Sequence, residues 1–209
     1  SFLIIKSSFG VILHTGDFKI DKKPLLENPL DYSKLENALG GRPSLCVVDS
    51  TNMLNENKGM SETLLKEPIA KIIEESKGRV IFTSFASNLG RLKIIAEAGE
   101  KSGRSIAVFG RAMNNMLSKA LETNIFTDFP TLIDSRKAHM VPRENLLVIA
   151  TGSQGEIRAA SAQLSRGKYM GLELEDGDTF VFSSKTIPGN EISVNRVINN
   201  LSDKGVVVK

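Results

Sequence analysis

Cysteine and histidine are both scarce in this sequence. One of the 209 residues is cysteine, Cys46, so no internal disulfide can form. That favours a reducing cytoplasmic compartment and removes the case for secretion. The two histidines, His14 and His139, are too few for a self-contained His-rich zinc site. No apolar run approaches the ~20 residues that span a bilayer, so no membrane partner is expected. No basic segment and cleavage site precede the first strand-like residues, so these residues are not expected to be a signal peptide. There is no large excess of one charge: 27 Lys and Arg stand against 24 Asp and Glu, a net charge of +3. Such a balance permits nucleic acid without implying it. Neither G-x-G-x-x-G nor a Walker A pattern occurs, which counts against dinucleotide or nucleoside-triphosphate binding. Internal repeats and low-complexity segments are also missing.

What is present is ordinary globular material, 41% apolar and 24% charged. Residues 1–6 and 11–15 read as a hairpin around Ser7-Ser8-Phe9-Gly10, and 32–39 as a short helix. Ser44–Val48 reads as a buried strand ending at Asp49-Ser50-Thr51. From about residue 60 helices and strands alternate. Strands are predicted at 79–83, 105–109, 146–150, 179–183 and 206–208. Helices are predicted at 64–73 (late or kinked because of Pro68), 88–101, 111–122, 157–165 and 190–201. The last carries Ile192, Val194, Val197, Ile198 and Leu201 on its apolar side. This rhythm implies right-handed crossovers and an α/β fold with a mostly parallel sheet. A composition shift at 52–60 divides the chain into 1–55 and 56–209. The chain begins without Met and runs into strands at both ends, so an excised piece of a longer protein is expected.

In an open parallel sheet, ligands bind outside the carboxyl ends of the strands. The residues there are Thr83-Ser84-Phe85-Ala86-Ser87-Asn88, Gly110-Arg111, Thr151-Gly152-Ser153-Gln154-Gly155-Glu156 and Ser183-Ser184-Lys185. All four groups are small, hydroxylated, amide or basic, and three lead towards helices whose free N–H groups favour an anion. Arg111 offers a planar fork to a phosphate. Each feature also has a plain structural explanation. Ser87 or Asn88 can cap a helix, Gly152 and Gly155 can serve a turn, and Arg111 can be a solvated charge. Four such turns on one edge favour ligand binding over these explanations.

Asp17 follows a strand ending in His14-Thr15-Gly16, where a carboxylate is placed to reach a metal or to form an Asx-turn. Asp49 has the same two readings. Cys46 is expected to be a buried small hydrophobe, and His14 and His139 receive no role. No nucleophile–base pair is visible, which argues against a small-molecule enzyme.

His14-Thr15-Gly16-Asp17-Phe18-Lys19-Ile20-Asp21, Asp49-Ser50-Thr51-Asn52, Phe85-Ala86-Ser87-Asn88, Gly110-Arg111, Thr151-Gly152-Ser153-Gln154-Gly155-Glu156 and Ile187-Pro188-Gly189-Asn190-Glu191 occur in this order. Together they resemble bacterial ribonuclease J, a metallo-β-lactamase-fold nuclease with an inserted β-CASP domain. The resemblance implies that residues 1–55 are part of a metallo-β-lactamase domain and 56–209 the β-CASP domain. It also implies a cytoplasmic enzyme of rRNA processing and mRNA decay, with 5′-to-3′ exonuclease and endonuclease activity and a two-zinc centre. Asp17 matches the aspartate that bridges the metals, and Asp49 the acidic residue that supports the site. Ser84, Ser87, Asn88, Arg111, Ser153 and Gln154 fall where the family's insert faces the RNA backbone and its 5′-monophosphate. RNA is then the partner, and the intact protein a homodimer or homotetramer.

The family's H-x-H-x-D-H run and its later metal-binding histidines do not occur in this sequence. One bridging aspartate cannot hold two zincs, so the chain alone is expected to bind none and to be inactive. Smaller departures are Ile157-Arg158, Ala112 and Lys185-Thr186. The competing expectation is a stand-alone α/β module that binds RNA or a phosphorylated metabolite.

Overall fold

Apolar runs such as Val80–Thr83 and Leu146–Ala150 are buried along their whole length, the signature of parallel strands covered on both faces. The structure, a computed structural model, describes residues 2–50, 53–54 and 61–209. The chain divides into two compact units, Ser1–Leu64 and Leu65–Lys209. Thr51, Asn52 and most of the expected boundary at 52–60 lie outside the described residues.

The first unit contains β1 (Leu3–Ser7), β2 (Gly10–His14), the helix α1 (Tyr32–Leu39) and β3 (Leu45–Val47). β1 and β2 form the expected antiparallel hairpin, and β3 adds to β2 in parallel, with His14 opposite Val47. Asp31 caps α1 by accepting from the Lys34 amide. This sheet buries little. Leu3, Ile5, Leu45 and Val47 are exposed, and so is Cys46, contrary to the expectation of a buried thiol. The run around Cys46 has the composition of a core strand. β3 is nevertheless only three residues long, pairs on one side, and lies open on both faces. Composition reports what a strand is suited to; burial requires a layer to pack against it.

The second unit contains α2 (Lys66–Glu75), β4 (Val80–Thr83), α3 (Leu89–Lys101), β5 (Ser105–Phe109) and α4 (Arg111–Glu122). After a 3-10 turn at Ser135–Met140 come β6 (Leu146–Ala150), α5 (Ala160–Arg166), β7 (Thr179–Phe182), α6 (Glu191–Ser202) and β8 (Val207–Val208). Its strands form one parallel sheet in the order β5-β6-β4-β7-β8. Ile81, Ala107, Phe109, Leu146, Val148 and Phe180 pack with Ala160 and Leu164 of α5 and Val197 and Leu201 of α6. α2 and α3 pack on each other, and α3 packs on β5 and β6. Pro68 falls in the first turn of α2, where its missing N–H costs nothing, so the helix starts late rather than kinking.

Two helices depart from expectation. α5 begins at Ala160 rather than 157 because the chain first returns to Thr151: Ser161 N–H donates to Thr151 O at 3.0 Å. In α6, Val194, Val197 and Leu201 are buried, but Ile192 is 76% exposed, so the helix turns a narrower apolar stripe inward than its sequence allows.

The amino edge of the sheet carries a buried polar clamp. Arg79, Arg104 and Asp178 each stand immediately before a strand, and all three are buried. Asp178 accepts from the Arg79 amide at 2.9 Å, from Arg79 Nη1 at 3.2 Å, from the Glu175 amide at 3.0 Å and from Arg143 Nη2 at 3.0 Å. The Asp178 carboxylate raises the pKa of Arg143 above its ordinary value. Arg104 donates to four carbonyls: Ser76 at 2.6 Å, Gly78 at 2.8 Å, Ile73 at 3.3 Å and Leu146 at 3.3 Å. Burial lowers its pKa, and Glu144 opposes the shift. A buried charge persists only when its hydrogen-bonding capacity is met, and these carbonyls meet it.

Replacing Arg104 by Ala orphans those carbonyls and should cost about 3 kcal/mol, seen as a lower urea midpoint at unchanged slope. Arg104→Lys should recover only part of it, because one ammonium cannot span the same fork of acceptors.

Candidate functional site

Because all five strands of the second unit run parallel, the four segments singled out above emerge on one edge. β4 lies between β6 and β7, while the chain goes from β4 to β5 and from β6 to β7. The exits of the adjacent strands β4 and β6 therefore diverge, and α3 and α5 pack in different layers. Such a switch point opens a crevice at the carboxyl edge.

The β4 exit is a tight turn. Ser84 is buried, and its amide donates to Ala150 O at 3.3 Å, which extends the ladder by one residue. Ser87 is exposed. Asn88 caps α3 by accepting from the Arg91 amide at 3.0 Å, so its carbonyl oxygen is occupied within the fold. Arg91, three residues on, reaches back across the edge and donates to Ser183 O. Sequence reading overlooked it, although side chains in a first helical turn lean towards the helix N-terminus and hence over the strand ends.

The β5 exit is Gly110-Arg111. Gly110 adopts φ 117°, and a Cβ there would lie 2.2 Å from Thr151 Oγ1. Only glycine lets these two strand exits approach so closely. Gly110 offers no side chain, so among the described residues the N-terminus of α4 has no side-chain cap. Arg111, the first residue of α4, is exposed and makes no hydrogen bond or ion pair among the described residues. Unsatisfied N–H groups, the positive helix end and a free guanidinium thus coincide.

The β6 exit, Thr151–Glu156, is buried more deeply than its composition suggests. Ser153 is 2% exposed and Gln154 6%. Gly155, at φ 70°, rests against the backbone of α6, and a Cβ would lie 2.4 Å from the Ser193 carbonyl carbon. The Gln154 amide turns inward instead of facing a ligand: Nε2 donates to Lys185 O at 3.0 Å, and Oε1 accepts from the Ile187 amide at 2.8 Å and from Asn190 Nδ2 at 3.2 Å. At the β7 exit, Ser183 Oγ donates to Thr83 O at 2.6 Å, and Lys185 is exposed. Ser184 Oγ is enclosed without a partner among the described residues.

In the first unit, Asp17 and Asp49 follow the carboxyl ends of the parallel pair β2 and β3. Thr15 joins these ends: its amide donates to Val47 O at 3.0 Å, and its Oγ1 accepts from the Asp49 amide at 3.2 Å. Asp17 is exposed, and among the described residues no hydrogen bond engages its carboxylate. His14 Nδ1 accepts from the Gly16 amide at 3.1 Å, which shapes the turn. Among the described residues, no group of three His, Cys, Asp or Glu side chains is placed to hold a metal. These residues therefore do not form a metal centre by themselves.

Comparison with known proteins agrees with this geometry. Residues 77–201 match the family model described as ribonuclease J, beta-CASP domain. The chain is 39% identical over 205 residues to Ribonuclease J of Sinorhizobium meliloti, covering 98% of this chain and 36% of that protein. It is 41% identical over 208 residues to Ribonuclease J 1 of Streptococcus pyogenes, covering 99% and 37%. It is 34% identical over 208 residues to Ribonuclease J of Thermus thermophilus, covering 100% and 36%. The chain thus spans little more than a third of the length of these relatives. The match over residues 77–201, on a parallel sheet whose exits form this edge, places the chain in the ribonuclease J family, with the β-CASP domain in its second unit.

Proposed function

We propose that this chain is the RNA-holding part of a ribonuclease whose catalytic centre is completed by the remainder of the parent protein. The observation that carries this reading is the β5 exit. There, among the described residues, an uncapped helix N-terminus and an unpaired Arg111 stand together on the edge where a parallel sheet binds ligands. RNA offers that edge a phosphodiester backbone and a terminal 5′-monophosphate. Arg111 meets the phosphate with charge-assisted hydrogen bonds. Ser87 stands exposed at the β4 exit of the same edge, while Ser84, Asn88 and Ser153 shape the turns that present backbone N–H groups. Holding the 5′ end fixes which phosphodiester bond reaches the catalytic centre, a contribution of positioning rather than proton transfer.

In this reading the first unit, with residues 1–55, is a strip of the metallo-β-lactamase domain, and 56–209 make up the β-CASP domain. Asp17 would supply one carboxylate ligand to a zinc centre that activates water for phosphodiester hydrolysis, and Asp49 would support it. The other ligands belong to the rest of the parent, so the chain alone is inactive. The parent acts in the cytoplasm on rRNA and mRNA, as both a 5′-to-3′ exonuclease and an endonuclease, and assembles as a homodimer or homotetramer.

In the intact parent, Arg111→Ala should weaken binding of 5′-monophosphorylated RNA by roughly thirtyfold and leave 5′-hydroxyl RNA nearly unaffected. Equal wild-type affinity for the two RNAs would remove the phosphate pocket from this edge. Asp17→Ala should abolish turnover and lower the bound zinc measured by elemental analysis. Full activity with unchanged zinc would show that Asp17 is not a ligand.

A further inference from the structure

The loop between β7 and α6 is fastened in an unusual way. Its internal bonds are local: the Asn190 amide donates to Ile187 O at 3.0 Å, and the Gly189 amide to Glu191 Oε2 at 2.7 Å. Apart from the Val194 amide of α6, which donates to Asn190 O, the hydrogen bonds that tie residues 185–190 to another part of the fold among the described residues all involve one side chain, Gln154. Its amide uses both ends. The donor takes the carbonyl of Lys185, and the acceptor takes the Ile187 amide and the Asn190 side chain.

Gln154 is itself firmly held. It is 6% exposed, and its backbone amide donates to Glu156 Oε2 at 3.0 Å. The adjoining Gly155 is pressed on the backbone of Ser193, and its amide donates to Gly152 O at 3.2 Å. The start of the loop is held at Ser183, by Thr83 O and Arg91, and a rigid turn clamps the part that follows, from Lys185 onward. The loop carries Lys185, whose side chain is exposed and makes no hydrogen bond or ion pair among the described residues. Bonded to its carbonyl, the clamp fixes the Lys185 backbone just past the end of β7, on the same edge as Arg111.

We propose that Gln154 is a positioning residue that does not touch RNA but holds Lys185 at the carboxyl edge, where its ammonium meets a phosphate of the bound strand. This rests on the RNA-holding function proposed above. Three of the four hydrogen-bonding positions of the amide are spent on this loop, and the side chain is buried, so the amide is directed at the loop rather than at a ligand. Its effect on binding is instead to fix the loop beforehand, sparing the entropy that an untethered loop would lose when the strand arrives.

The test uses the intact parent protein in chelator, so that RNA binds without being cut. Gln154→Ala, the volume-conserving Gln154→Leu, Lys185→Ala and the Gln154/Lys185 double variants are compared by anisotropy with a fluorescent 5′-monophosphorylated RNA oligonucleotide. Amide hydrogen exchange over residues 185–190 is followed without RNA. Both Gln154 variants should speed exchange at Ile187 and weaken binding about tenfold. Lys185→Ala should weaken binding similarly without altering exchange, and the double variants should bind no worse than either single one. Unchanged exchange in both Gln154 variants would overturn the clamp. Additive losses would overturn it too, by showing that Gln154 and Lys185 act separately. Faster exchange with no binding change in any variant would overturn the proposed link to RNA. The function itself fails separately, if Arg111→Ala also leaves binding unchanged.

Discussion

One buried carboxylate sets the geometry on which the β-CASP unit depends. Asp178 is fully enclosed and gathers the start of β4 through Arg79, the turn before β6 through Arg143 and its own strand β7. Arg104 performs the complementary task for β5 and β6 by collecting carbonyls. Parallel strands have no hairpins to fix their stagger, so it must be set by contacts like these. With the amino ends fixed, strands of four or five residues also fix where their carboxyl ends emerge. The approach of Gly110 to Thr151 tolerates little slippage. A structural clamp at one edge thus secures the functional geometry at the other.

The two edges use polar groups in opposite ways. At the amino edge the buried charges of Arg79, Arg104 and Asp178 find partners within the fold, although Arg79 Nε has none among the described residues, and Asp178 alone accepts from three partner residues. At the carboxyl edge Arg111 and Lys185 are exposed and unmatched among the described residues, and α4 lacks a side-chain cap. Nothing in the fold requires those cations to stay unpaired; a nearby carboxylate would satisfy them. Leaving them open keeps the edge attractive to an anion.

The parts of this architecture legible in the sequence were those that repeat. Strands such as Ser105–Phe109 and helices such as Arg111–Glu122 announce themselves through runs and periods, and their bounds match expectation. The carboxyl-edge segments follow once the sheet is known to be parallel. What the sequence hid was direction and partnership. Gln154 reads as a ligand-facing amide in a Gly-Ser-Gln-Gly turn, but its partners lie more than 30 residues away and pull it inward. Arg79, Arg104 and Asp178 received no role from the sequence, because burial of a charge is a property of the assembled fold. Cys46 failed in the opposite sense: its apolar neighbours promised a layer that β3 does not have.

The strand order also has a consequence for how the chain acquires its shape. β4 is the first strand of its sheet to be synthesised, yet its neighbours are β6 and β7. Arg79 and the carboxylate that receives it are 99 residues apart in the chain. At the ribosome, α2 and α3 can pair early, but the central strand must wait unpaired until most of the unit has emerged. Contacts of such long range make folding slow and leave β4's apolar edges open in the interval. Val80-Ile81-Phe82 is therefore where the nascent chain carries apolar strand edges longest before their partners are made.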